Sequence, residues 1–192
     1  MDTQKLDQLF LFLKEINGFK SVYRLSYVEP DGRRESDAEH TWYLTMMVVL
    51  FSESYDRKID LLKAIKIALV HDLAELYTGD VYAHDEQGRI GKEEREKEAA
   101  EKLFSLLPED LKEEFHTLRE EYEAKETEEA KFVWALDKLH PRLQYRLTQG
   151  DETDKMPLDK ERDREKANAQ DERLRNISPV IGYLLEKIYQ EN

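Results

Sequence analysis

The sequence predicts an all-α bundle, on three observations. Apolar residues recur at three- and four-residue steps along most of the 192-residue chain, which is the period of a helix face. No stretch alternates apolar with polar residues for long enough to build a sheet. The chain is 40% apolar and 38% charged with only 7 Gly and 5 Pro, so it can bury a real core and has no long low-complexity tract.

Each element follows from its own residues. Leu6, Leu9, Phe10, Leu13 and Ile16 form the packing face of a first helix that Gly18 ends. A connector from Phe19 to Arg34 holds the turn cluster Glu29-Pro30-Asp31-Gly32. Ser36-Asp37-Ala38-Glu39 is a capping box, so a second helix starts there with His40 in its first turn. From Trp42 to Phe51 that helix is apolar nearly all round, which puts it at the centre of the bundle. A third helix spans about Leu61 to Tyr77 and stops at Thr78-Gly79-Asp80. A loop through His84 and Gly88 leads to a charged helix, about Lys92 to Leu107, ended by Pro108. Further helices follow from about Glu109 to Glu123 and from Thr127 onward, the latter kinked or ended by Pro141. Between Asp151 and Arg175, 16 of 25 residues are charged with both signs mixed, the pattern of a solvated helix or loop. Ser178-Pro179 opens a last helix that buries Val180, Ile181, Leu184, Leu185 and Ile188. One domain over residues 1–192 is expected, with a metal-binding core over about 36–140 and C-terminal helices over about 157–191 packed on it.

With 43 acidic and 30 basic side chains the net charge is −13. Such a field opposes binding to polymeric nucleic acid or an anionic membrane. The lack of Cys excludes disulfides, thiolate metal sites and a cysteine nucleophile. No apolar run reaches membrane-spanning length and the first residues lack a secretory signal, which predicts a cytoplasmic protein. No Gly-rich phosphate loop or G-x-S-x-G elbow is present, so kinase and serine-hydrolase chemistry are disfavoured.

The informative residues are the polar ones inside apolar helices. At about 100° per residue, His71, Asp72 and Glu75 share one arc of the third helix. Burying two carboxylates and an imidazole without compensation costs several kcal/mol each, so a cation or dense hydrogen bonding must be present. A divalent metal does this most directly. An isolated His on an apolar face is ordinarily a hydrogen-bonded core residue; it is the combination of His40 in one helix, His71 and Asp72 in the next and Asp137 in a third that points to a two-His, two-carboxylate site. That donor set suits one ion of Mn, Fe, Co, Ni or Zn.

The stretches Glu35-Ser36-Asp37-Ala38-Glu39-His40, His71-Asp72-Leu73-Ala74-Glu75-Leu76-Tyr77-Thr78-Gly79-Asp80 and Ala135-Leu136-Asp137-Lys138-Leu139 resemble the HD-domain metal-dependent phosphohydrolases, especially the branch with 5'-deoxynucleotidase-like proteins. The resemblance covers about residues 5–147, with a weaker match in the last helix. It implies an HD-domain helical bundle in which His40, His71, Asp72 and Asp137 hold the ion. It also implies that Glu75 positions or deprotonates a water, that Asp80 stands near the leaving group, and that the substrate is a small phosphate ester such as a nucleoside monophosphate. A homodimer is expected by the same analogy. Nucleotidase members carry an Arg-Trp or Arg-Thr-Gly-Trp stretch before the capping box; here it reads Phe19-Lys20-Ser21-Val22-Tyr23-Arg24, leaving Lys20 and Arg24 as substitutes for binding substrate. After Thr-Gly-Asp the relatives' proline-containing segment is replaced by Val81-Tyr82-Ala83-His84, and His84 is a further candidate substrate contact.

Two other functions fit the same residues: a nucleotide pyrophosphate or alarmone hydrolase, and a non-catalytic protein that binds a nucleotide or uses the metal as a brace. Glu75 and Asp80 speak against the latter, since a structural metal needs no further carboxylates beside it. His140, three residues after Asp137, faces the same side at i+3 while Pro141 leaves its direction open, and Arg142 is similar. Arg33 and Arg34 either draw in phosphate or form surface salt bridges, and His116 has no assigned role. Trp42, Met46, Met47 and Trp134 read as packing.

Overall fold

Helix α1 (Thr3–Ile16) turns its Phe12 side inward, with Leu9 and Ile16 packed beside it. Leu6, Phe10 and Leu13, expected on the packing face, point outward instead, because α1 carries two apolar stripes and only one meets the bundle. The computed structural model describes residues 3–29, 32–82, 85, 88, 90–150 and 160–190. Among them it is predominantly helical, with one two-stranded sheet.

A 3-10 turn, Asn17–Ser21, buries Phe19 and leads into that sheet, which the sequence did not predict. Strands β1 (Tyr23–Tyr27) and β2 (Arg34–Ser36) pair antiparallel, with Tyr23 opposite Ser36 and Tyr27 opposite Arg34. Three to five residues are too few to show an alternation. The hairpin is closed by Val28 N–H donating to the Arg33 carbonyl at 2.8 Å, and the Arg34 guanidinium donates to the Tyr23 carbonyl at 2.8 Å. Gln144 donates to the Tyr27 carbonyl at 2.6 Å and so ties the hairpin to the bundle.

Helix α2 (Asp37–Phe51) starts where the capping box predicts. Ser36 Oγ accepts from Glu39 N–H at 3.3 Å and Glu39 Oε2 accepts from Ser36 N–H at 2.9 Å. Its Leu44 and Val48 are fully buried, yet Trp42, Met46, Val49 and Leu50 are exposed. The helix therefore lies with one side in the core and one outside, and Trp42 and Met46 do not pack as expected.

Helix α3 (Leu61–Val70), capped by the Asp60 side chain, ends earlier than its apolar run suggests. From residue 71 the hydrogen bonds shorten their span: Leu73 N–H reaches Val70 O, Glu75 reaches Asp72 and Leu76 reaches Leu73. Bonds to the third residue back tighten the winding, so Asp72 and Glu75 stand one above the other. A one-turn helix α4 (Glu75–Thr78) follows and Gly79, at φ 73°, breaks it; that left-handed backbone favours glycine.

Helices α5 (Lys92–Phe104) and α6 (Glu109–Ala124) cover one flank. Helix α7 (Glu128–Thr148), capped by Thr127, runs on past Pro141. The ring removes one helical bond, but His140 just before it and Gln144 and Thr148 beyond it are buried, and that packing carries the helix on. Helices α2, α3 and α7 pack on one another around Leu44, Ile67, Phe132 and Leu136, all fully buried. Beyond lie α8 (Lys160–Arg175) and α9 (Pro179–Gln190), with α9 packed on α7.

The α2 cap sits one turn before His40, so its loss is measurable on stability. Ser36→Ala is expected to cost about 1 kcal/mol in urea unfolding of the metal-free protein, and an unchanged midpoint would show that the Glu39 side chain caps α2 alone.

Candidate metal centre

Four side chains from three segments converge where α2, α7 and the tight turn after α3 meet. His40 comes from the first turn of α2, His71 and Asp72 from the turn, and Asp137 from the middle of α7. One ligand atom from each lies within 4.8 Å of every other. His40 Nε2 is 3.1 Å from Asp137 Oδ1 and His71 Nε2 is 2.9 Å from Asp72 Oδ2. Both imidazole nitrogens are buried and make no hydrogen bond of proper geometry. His71 Nδ1 is 2.8 Å from the Ala68 carbonyl. If Nδ1 carries the proton, the Nε2 lone pair faces the carboxylates. Tyr122 O–H donates to Asp137 Oδ2 at 2.6 Å, and Lys138 Nζ lies 2.7 Å from the same oxygen.

The electrostatics are those of a cluster that attracts positive charge. Burial works against ionised Asp72, but His71 outweighs it and holds the carboxyl below its ordinary range. Burial likewise opposes charge on His71, and Asp72 overcomes it and raises that pKa. His40 is pushed down to about 4 by burial and by Arg24, so its imidazole is neutral near pH 7. His140 is also held neutral, by burial and then by His40 and Arg24. The residues present fit a divalent ion: two buried imidazole nitrogens lacking partners and two carboxylates converge on one point.

The surroundings extend the site. Glu75 is buried, with Oε1 at 3.2 Å from Lys92 Nζ and Oε2 without a partner. Burial, Asp72 and Asp80 push its carboxyl up to about 10. Arg24, delivered by β1, sits 3.4 Å from Asp72, 3.7 Å from Asp37 and 3.7 Å from Glu35. An open cavity is lined by Arg24, His71, Asp72, Glu75, Asp80 and Asp137, with Lys92, Lys138 and Arg142 on its walls.

Six of the residues singled out from sequence, His71, Asp72, Glu75, Asp80, Asp137 and Arg24, therefore line one cavity, and His40 stands behind it with its ring fully buried. Lys20 does not join them: its ammonium donates to Asn17 and it lines a separate small cleft with Tyr23 and Trp42. His84 lies outside the described residues. Arg33 pairs with Glu39, and Arg142 is held by Asp171 and Gln170. Sequence reasoning did not single out Tyr122, Lys92, Glu35 or Asp37. Tyr122 and Lys92 lie on amphipathic or charged helices with no local mark, and Asp37 read as part of a cap.

Residues 16–178 match the HD domain family. The chain belongs to that family. It is 38% identical over 137 residues to the 5'-deoxynucleotidase HDDC2 of Xenopus laevis, a match covering 71% of this chain and 67% of the relative. The mouse protein of the same name is 36% identical over 137 residues with the same coverage. The chain spans about two thirds of the length of these relatives. A crystal structure from Magnetospirillum magnetotacticum MS-1, described as a "predicted metal-dependent phosphohydrolase", superposes with TM-score 0.81 at 32% identity over 97% of this chain and 94% of that one. This HD-domain protein is a metal-dependent phosphohydrolase. Among the described residues no helix is long and apolar enough to cross a membrane.

Asp37 supplies a pH test. It is fully buried, and burial raises its pKa to about 8 despite Arg24. A carboxyl raised on folding stabilises the fold below its ordinary pKa, and that contribution is lost as pH rises through the folded value. Between pH 5 and pH 8 the metal-free protein should lose less melting temperature as Asp37→Asn than as wild type; equal losses would show Asp37 ionised throughout.

Proposed function

We propose that the chain hydrolyses the phosphomonoester of a nucleoside monophosphate, as a 5'-deoxynucleotidase does, with His40, His71, Asp72 and Asp137 holding one divalent ion. The observation that carries the reading is the four-donor cluster opening into a cavity that Glu75, Asp80 and Arg24 also line. An ion there lowers the pKa of water and polarises a phosphoryl oxygen. The chain's own groups do the rest. Glu75 Oε2, buried and unpaired, would accept the proton of the attacking water once the ion's positive charge offsets the upward shift that burial, Asp72 and Asp80 impose on its carboxyl in the metal-free protein, while Lys92 holds the other oxygen and orients it. Arg24 faces the phosphoryl oxygens, its charge kept in place by Glu35 and Asp37. As the water oxygen bonds to phosphorus the bond to the nucleoside oxygen breaks, and that oxygen leaves as a hydroxyl by taking up the proton Glu75 received, relayed by Asp80, which also lines the cavity. Positioning and charge are most of what phosphoryl transfer asks of a protein.

The relatives named 5'-deoxynucleotidase support a nucleotide substrate. The same reading takes the enzyme to be cytoplasmic and a homodimer acting on free nucleotides. The net charge of −13 disfavours a polymer, and the exposed Trp42, Met46, Val49 and Leu50 on α2 offer an apolar face for pairing.

The test is phosphate release from ribo- and deoxynucleoside monophosphates by protein stripped of metal and reloaded with Mn, Fe, Co, Ni or Zn in turn. Release should need the metal and be lost in His71→Ala. Glu75→Gln should keep its metal content while kcat falls about 10²- to 10⁴-fold. Stoichiometric metal with no release from any nucleoside monophosphate would sink the assignment.

A further inference from the structure

His140 is fully buried on α7, one turn beyond Asp137, and nothing in the proposed reaction uses it. Its Nδ1 lies 2.7 Å from Nδ1 of His40. The ring centroids are 4.9 Å apart with planes 24° from parallel, so the rings meet edge to edge and the contact lies close to both ring planes. Two nitrogens on one ion, each at about 2.0–2.1 Å, would stand farther apart than this. The contact is therefore a hydrogen bond, and one proton lies between the rings.

That leaves two arrangements. If His140 donates, His40 carries its own proton on Nε2, which then faces Asp137 Oδ1 at 3.1 Å and blocks the nitrogen. If His140 accepts, the His40 proton is on Nδ1 and the Nε2 lone pair is free. We propose that His140 is a positioning residue that accepts His40 Nδ1–H and so presents the His40 Nε2 lone pair to the Asp72–Asp137 carboxylates. The inference rests on reading His40 as a metal ligand.

The surroundings of His140 place an acidic oxygen near Nε2, which favours an acceptor at Nδ1. An imidazole accepting there carries its proton on Nε2. Glu35 Oε1 lies 3.4 Å from Nε2, within reach of a proton there, although the two atoms are not aligned as a hydrogen bond. Tyr43 lies flat on the ring, centroids 4.5 Å apart and planes 11° from parallel, which fixes its rotation. In this arrangement Glu35 stands behind His140, and the His140–His40 hydrogen bond leads on to the ligand nitrogen. A carboxylate acting on a metal-bound imidazole is a common pairing; here a second histidine is interposed.

The test measures metal affinity by competition with a chromophoric chelator, alongside the melting temperature of each metal-free variant. His140→Phe keeps a flat ring on Tyr43 and removes both nitrogens; it should bind Co or Zn about 10- to 100-fold more weakly with an altered visible spectrum of the Co-loaded protein. His140→Asn restores an acceptor near the Nδ1 position and should recover affinity to within about threefold of wild type, a rescue that a space-filling role would not show. His140→Phe binding as tightly as wild type while His40→Ala loses metal would overturn the inference and leave the metal site standing. His40→Ala binding as wild type would overturn both. Should His140→Phe not fold, imidazole ¹⁵N shifts of the Zn-loaded wild type decide. His140 protonated at Nε2 and bare at Nδ1 supports the inference, and a proton on His140 Nδ1 overturns it.

Discussion

The burial of Asp72 and Asp137 among apolar helices is the constraint on which the rest of this structure depends. An isolated carboxylate in such a place would cost several kcal/mol or take up a proton. Instead each is held ionised by what surrounds it: His71 and Arg24 at Asp72, and first of all Lys138 at Asp137. The cations are fewer than the acidic groups when Glu35, Asp37 and Glu75 are included, and these three are raised towards or beyond neutrality. A site with that imbalance accommodates a divalent cation because the ion relieves repulsion that is already there.

The fold serves this convergence by interrupting its own regularity. A continuous α-helix through residue 77 would set Asp72 and Glu75 about 60° apart round the axis. The shift to shorter-range hydrogen bonds after Val70 stacks Asp72 and Glu75 instead. Pro141 loosens α7 one turn after Asp137 without ending it. The two-stranded hairpin, small as it is, carries Arg24 into the cavity, and Gln144 anchors it there. Irregular backbone thus lies beside the site, while α2, α3 and α7 supply the rigid core behind it.

Local cations reconcile an acidic protein with an anionic substrate. The net charge is −13, yet Arg24, Lys92, Lys138 and Arg142 line the cavity. Most are already neutralised by carboxylates of the protein, so the additional charge of a bound ion decides the sign of the field at the phosphate. Metal binding and substrate binding are coupled in such a site by simple electrostatics.

Much of this was legible in the sequence because it is written in short-range pattern. Helical periodicity marked the bundle, the Ser36–Glu39 box placed the start of α2, and polar residues inside apolar runs exposed His40, His71, Asp72, Asp137 and Glu75 as a group. What the sequence could not determine was direction and distance. Which stripe of α1 is buried, that Trp42 faces outward, that Lys20 points to another cleft and that Tyr122 reaches Asp137 all depend on partners far along the chain. The hairpin was too short for its alternation to register. His140 was visible as a residue but not as a partner of His40, 100 positions away. Periodicity reports which side of an element a residue occupies, whereas only the packing of elements decides what that side meets.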